Sequence, residues 1–381
     1  MKSIVHTSMG SATELNSWSC AIPIKSSSRR RLLITLSLAV LSVALIYQPL
    51  PQDFPQPWKY RFISFWAHVF VKIVYDRRIL NVTVRMYEPE ELANVDKMPT
   101  IIHFHGGGFL LGSIDTHDQA TYVLANLTRA LVISVEYRLV PEHPFPAALD
   151  DCTSVAYELF QNAINYRIDA NRIVLAGDSA GGNLALVTTQ SLLRDGFTPR
   201  TICLLYPALQ FFDFTLPSYR DYLPRNILGI INEDNFFSAM SELSERKVKV
   251  TRDILFNNHT SARDKRRLRP LLDADQHLAI SLPFDIDQEG NQNLIPHLKF
   301  LVSPRISPLL VSDDELIQLP PVLLFTAEFD ILRDEGMLFV GISILPILFF
   351  TICAESCNLK NRTSVLNTAL MRFPRMQVDG K

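Results

Sequence analysis

An apolar run, Ile173-Val174-Leu175-Ala176, leads directly into Gly177-Asp178-Ser179-Ala180-Gly181 and then into Asn183-Leu184-Ala185-Leu186-Val187. Few folds accommodate that order. The first run reads as a strand buried on both faces, the last as a helix, and the residues between them leave room only for a sharp turn. A serine on such a bend is held with its oxygen exposed at the end of a strand. A second apolar run, Ile101-Ile102-His103-Phe104, ends in His105-Gly106-Gly107-Gly108-Phe109. Glycines at that point let backbone N–H groups approach a developing oxyanion, which side chains would obstruct. The two stretches predict acyl transfer, with Ser179 as nucleophile and the N–H groups of Gly106, Gly107 and Ala180 as oxyanion donors. Gly108, Gly177, Asp178 and Gly181 shape the two turns. An anion-binding nucleotide turn is the rival reading of the serine, but its Lys-Ser/Thr pair is missing.

Strand-like runs at 100–104, 131–136, 173–176, 201–206 and 322–326 alternate with helical stretches. That pattern predicts a mostly parallel sheet covered by helices on both faces. Between the fourth and fifth runs lies a long insertion, 211–301, with a basic stretch at 263–269 that reads as a solvated face beside acids. At 381 residues, 48% of them hydrophobic, the chain is long enough for one large α/β domain. The near-balanced charge of −2 and the absence of a basic stripe argue against a nucleic-acid partner. Cys20, Cys152, Cys203, Cys353 and Cys357 show neither metal-ligand spacing nor a disulfide framework.

Two more segments complete a family pattern: Glu136-Tyr137-Arg138-Leu139 with Pro141-Glu142-His143-Pro144-Phe145-Pro146-Ala147-Ala148, and Thr326 through Gly336. Over 81–340 the chain resembles the hormone-sensitive-lipase branch of the α/β-hydrolases, and within it the membrane-anchored arylacetamide deacetylase group. The resemblance implies an α/β-hydrolase fold with a helical cap at 211–301, and hydrolysis of carboxylic esters or amides of apolar acids without metal or cofactor. Asp330, after the last of the five strand-like runs, is the expected acid, with Glu328 and Asp334 as substitutes. His105 is expected to hold the glycine loop rather than move protons. Asp178 is expected to be a structural hydrogen-bonding residue. These motifs encode neither the identity of the ester nor an oligomeric state.

Both ends lie outside the matching stretch, and the one after Val340 departs from the family pattern. Residues 1–31 read as a Ser-rich cytosolic segment. The run at 32–48, behind Arg29-Arg30-Arg31, reads as a transmembrane signal anchor that places the rest in the lumen of the endoplasmic reticulum, as a single-pass type II protein of lipid metabolism. A cleaved signal peptide is the competing reading. Residues 49–80 read as a Pro-rich connector and a cap helix. Sequons at Asn81, Asn126, Asn258 and Asn361 fit a lumenal body. Residues 341–381 match neither the helix nor the strand expected there, so the last strand and its histidine loop are expected to be missing. The catalytic base is therefore unassigned; His297 and His143 are the named possibilities. The alternatives to an esterase are a non-catalytic binder of apolar ligands and an incomplete isoform.

Overall fold

The computed structural model of the chain describes residues 71–224, 233–245, 248–250, 252–273, 287–342 and 347–352. The strands are β1 (Val71–Ile79), β2 (Val82–Pro89), β3 (Met98–Phe104), β4 (Leu131–Glu136), β5 (Ile168–Asp178), β6 (Thr201–Leu205), β7 (Val322–Ala327) and β8 (Ile347–Ile352). Helices α1 (Asp118–Thr128), α2 (Ala147–Gln161) and α3 (Ala180–Arg194) alternate with β3 to β6. The insertion between β6 and β7 carries α4 (Pro217–Tyr222), α5 (Glu233–Glu242), α6 (Ala262–Asp273), α7 (Ile295–Leu298) and α8 (Asp313–Ile317). Helix α9 (Arg333–Ile342) follows β7. One sheet runs in the order β1-β2-β4-β3-β5-β6-β7-β8, antiparallel at β1/β2 and β2/β4 and parallel from there on.

Period-two alternation sorts the sheet side chains between two cores. Ile102, Phe104, Ile133, Val135, Ile173, Leu175, Ile202 and Leu204 join one cluster with Val155 and Leu159 of α2 and Leu184 and Leu186 of α3. Ile101, Val132 and Ala176 join the other, with Tyr122 and Ala125 of α1. Central strands buried on both faces give the unbroken apolar runs seen in the sequence.

Both margins of the sheet correct the sequence-based expectation. A cap helix is expected within 49–80, yet Val71–Ile79 is a strand paired with β2 through a turn at Leu80 and Asn81. Its Asp76, Arg77 and Arg78 are exposed, and charge is a common guard on an edge strand. At the other margin β8 is present, in register with β7 from Val322↔Ile347 to Ala327↔Ile352. The expected loss of the last strand is therefore corrected, and β7 is not an open edge. An uncharged six-residue run behind Pro346, too short for a helix that would bury it, suits a parallel strand.

Other expectations fall outside the described residues: the cytosolic segment, the anchor, the connector and aromatic stretch before Val71, Asn361, and the tail beyond Ile352. No helix among the described residues is long and apolar enough to cross a membrane. The basic stretch lies on α6, where Arg266 pairs with Asp287 at 3.0 Å and Arg267 with Asp264 at 3.7 Å. Lys265 departs from the solvated reading: it is buried, and its Nζ donates to Gln288 O at 3.0 Å.

A buried carboxylate joins the start of the insertion to α9. Glu335 accepts from the Leu209 N–H at 2.6 Å, the Gln210 N–H at 3.3 Å, Gln210 Nε2 at 3.0 Å and the Tyr219 hydroxyl at 2.6 Å. Burial pushes its carboxyl up to about 8 against the pull of those donors. Beside it, Asp334 accepts from the Ser218 N–H at 2.8 Å, and the Ser218 hydroxyl donates to Ile331 O at 2.6 Å. Truncating Glu335 to Ala strands these donors in a dry interior. The Glu335→Ala variant is expected to lose about 3 kcal/mol of stability, read from its urea unfolding midpoint.

Candidate active site

Ser179 sits between β5 and α3 with φ 53° and ψ −119°, a conformation that L-residues rarely adopt. Its surroundings hold it there. The Ser179 N–H donates to Leu205 O at 2.9 Å, and its carbonyl accepts from the N–H groups of Asn183 and Ala208, each at 3.1 Å. Backbone packs on backbone beneath it. A Cβ at Gly181 would lie 2.0 Å from Phe104 O, and one at Gly177 would lie 2.3 Å from Gly181 O. Glycine is required at both positions for this strand–turn–helix to close, and Ser179 is left half-buried at its tip.

The glycine loop crosses in front of this turn. Gly107 has φ +131°, and its carbonyl accepts from the N–H groups of Leu110 and Leu111 at 3.2 and 2.9 Å. The Gly106 N–H donates to Asp178 Oδ1 at 2.9 Å. That bond corrects the expectation for Gly106, whose amide is committed to a carboxylate. The amides of Gly107, Gly108 and Ala180 make no hydrogen bond within the described residues.

His105 behaves as a structural residue. Its ring is buried, stacks on Tyr137 at 4.2 Å and donates from Nδ1 to Gly106 O at 3.0 Å, while the Tyr137 hydroxyl donates to His105 O at 2.6 Å. Burial pushes its imidazole down to about 4. Asp178 is structural too: besides Gly106, it faces His117 Nε2 at 3.4 Å and His103 Nε2 at 3.9 Å. Burial opposes its charge, yet the hydrogen bond and charge of His117, with lesser help from His103 and Gly106, hold its carboxyl below the usual range.

Asp330 lies in the loop after β7, 7% exposed. Its Oδ1 accepts from the Leu332 N–H at 3.1 Å. Burial raises its carboxyl, opposed by the Leu332 and Ile331 amides. No imidazole contacts Asp330 or Ser179 among the described residues. His143 is exposed and His297 half-buried on α7, and neither bonds to either residue. Asp334 is ruled out as a substitute acid by its bonds to Ser218 and Arg333.

Sequence reasoning missed Tyr206 and His117. Tyr206 follows β6 with φ +36°; burial, helped by the fields of Asp178 and Asp330, pushes its phenol to about 12. The signal for His117, a histidine at the end of the glycine loop, was legible but had no partner until the fold supplied one. A small cavity lined by Phe109, Val140, Phe145, Leu184 and Ile306 includes neither Ser179 nor Asp330. No cluster of three metal-binding side chains occurs among the described residues.

Three buried histidines make this fold acid-sensitive. Burial pushes His103, His105 and His259 each down to about 4. An unfolded chain takes up protons on imidazole from about pH 6.5 downward while the folded chain refuses them, so stability falls as pH drops through that window. The loss approaches roughly 3 kcal/mol per imidazole at full coupling. His117 carries the opposite sign, because its raised value favours the folded state at low pH. Urea midpoints are expected to decline steadily from about pH 7 to about pH 4.5.

The comparisons agree with this geometry. The α/β-hydrolase fold family matches residues 101–277. Arylacetamide deacetylase of Bos taurus is 29% identical over 354 residues, covering 80% of this chain and 86% of the relative. Neutral cholesterol ester hydrolase 1 of Mus musculus is 30% identical over 276 residues, 68% of this chain and 66% of the relative. Among solved structures, an esterase from the archaeon Pyrobaculum calidifontis superposes with a TM-score of 0.53 at 26% identity, covering 87% of this chain and 89% of its own. With its serine turn, its glycine loop and its acid at the carboxyl ends of parallel strands, the chain belongs to the hormone-sensitive-lipase-like branch of the α/β-hydrolases, the arylacetamide deacetylase group included, and is by family a carboxylic-ester hydrolase.

Proposed function

We propose that the chain attacks carboxylic esters, and amides, of apolar acids through Ser179, forming an acyl-enzyme. The strained, half-buried Ser179 at the mouth of β5 carries this reading. The amides of Gly107, Gly108 and Ala180 are the donors for the oxyanion, and losing one such donor typically costs about 3 kcal/mol of barrier. Asp330 is the acid that orients an imidazole. Relatives named for arylacetamide and cholesterol ester cleavage support an apolar substrate.

A serine hydroxyl needs a base, and residues 331–381 contain no histidine. Turnover by these 381 residues is therefore low; removing the imidazole from a serine protease costs about a millionfold in kcat. A non-catalytic binder of apolar ligands is the second reading, favoured by the lack of an imidazole on Asp330 among the described residues. Hydrolysis of short- and medium-chain p-nitrophenyl esters beside a Ser179→Ala control tests both. Slow hydrolysis that disappears in the control supports the serine mechanism, and hydrolysis indifferent to Ser179→Ala refutes it. Fast Ser179-dependent turnover would overturn the impairment alone.

The run behind Arg29-Arg30-Arg31 supports a signal anchor with the hydrolase domain in the lumen of the endoplasmic reticulum. Asn81, exposed at the β1–β2 turn, is the sequon best placed for a glycan. Asn126 bonds back to Tyr122 O, and the Thr260 hydroxyl of the Asn258 sequon is buried. In intact microsomes the domain is expected to resist added protease until detergent is present; digestion without detergent would place it in the cytosol.

A further inference from the structure

His117 stands at the far end of the glycine loop, immediately before α1, and faces the serine turn across it. Its Nε2 lies 3.4 Å from Asp178 Oδ2, and its Nδ1 lies 2.9 Å from Thr116 Oγ1. Proton bookkeeping at those two contacts is restrictive. Thr116 Oγ1 accepts from the Ser113 N–H at 2.9 Å and has one proton to give, either to Ser113 O at 2.9 Å, which leaves it as an acceptor for Nδ1–H, or to Nδ1 itself. Asp178 can only accept while ionised, so Nε2 must carry a proton. With the Thr116 proton on Ser113 O both ring nitrogens donate, which is the imidazolium; with it on Nδ1 the ring is the neutral Nε2–H form.

Asp178 passes the contact on. Its Oδ1 accepts from the Gly106 N–H at 2.9 Å, at the root of the glycine loop. Among the remaining titratable groups around His117, His103 also approaches Asp178, with Nε2 3.9 Å from Oδ1, and burial keeps it neutral. His103 on β3 lies 6.0 Å from the His117 ring centre and His105 lies 5.5 Å away, both kept neutral by burial. Glu136 on β4 accepts from the Ile114 N–H, and Asp115 and Asp118 turn to Arg85 on β2.

We propose that His117 is a positioning residue for the glycine loop: as an imidazolium it holds Asp178, Asp178 fixes the Gly106 amide, and loss of the His117 proton loosens the loop. This inference rests on the reading of that loop as the receiver of the oxyanion. The hydrogen bond to Asp178 raises the His117 imidazole while burial opposes it. Its proton is thus kept past the ordinary imidazole range and released as pH rises. A buried carboxylate that loses its cation is left uncompensated, which favours its turning toward water and away from the Gly106 amide.

Hydrogen–deuterium exchange over residues 105–112 of the full chain, corrected for the intrinsic pH dependence, tests the strap without requiring turnover. In the wild type, exchange is expected to accelerate by about tenfold as pH rises through the His117 midpoint. His117→Gln supplies a donor without the charge, so its loop should exchange like that of the wild type above the His117 midpoint and respond little to pH. His117→Ala should exchange fast throughout. A wild-type profile as flat as that of His117→Gln, or wild-type protection in His117→Ala, overturns the proposal. If His117→Ala fails to fold, the comparison of wild type with His117→Gln still decides. Repeating the exchange on Ser179→Ala separates the two readings. A pH-sensitive loop in a protein whose serine proves unreactive upholds the strap and sinks the esterase reading. A reactive serine beside an indifferent loop sinks only the strap.

Discussion

The structure turns on a contact that contains no side chain. The Phe104 carbonyl at the end of β3 lies where a Cβ of Gly181 would be, and Gly181 O lies where a Cβ of Gly177 would be. Through that contact the last residues of two adjacent parallel strands and the first turn of α3 share one small volume. The glycine loop leaves from β3 and the serine turn from β5, so their closeness follows from strand pairing, Phe104 opposite Gly177. The unfavourable dihedrals of Ser179 are sustained by the same arrangement, because its N–H and carbonyl are tied to Leu205, Asn183 and Ala208.

Buried carboxylates do the remaining positioning. Asp178 orients the loop through Gly106 and His117. Glu335 and Asp334 fasten α9 to the segment leaving β6. That fixes the turn between β7 and α9, where Asp330 sits. Asp330 itself meets only backbone amides and has no cation or imidazole partner among the described residues. A buried carboxylate with spare acceptor capacity is where a partner would be accommodated.

Most of the sheet was legible in the chain. The five apolar runs became β3 to β7, because a strand covered on both faces must be apolar throughout. The margins were not. Val71–Ile79 is half solvated, so its aromatic and charged residues fit a helical period as well as a strand period. Ile347–Ile352 is a six-residue run whose identity as a strand depends on β7 lying beside it. In the site, the serine, the glycine turns and the structural nature of His105 and Asp178 were readable from their local order. The engagement of the Gly106 amide and the contact of His117 with Asp178 were not, since each depends on a residue 60 or more positions away.

The sequence by itself determined the strand–turn–helix around Ser179, the glycine loop and the apolar central strands, because each follows from residue types within a dozen positions. Tertiary structure alone decided which loop amides remain open and which carboxylate each histidine faces. It also decided that a short apolar run near the end would close the sheet. Those outcomes depend on hydrogen-bond donors and acceptors that meet only after distant strands have paired, and backbone groups carry no residue-specific signal of where they will go.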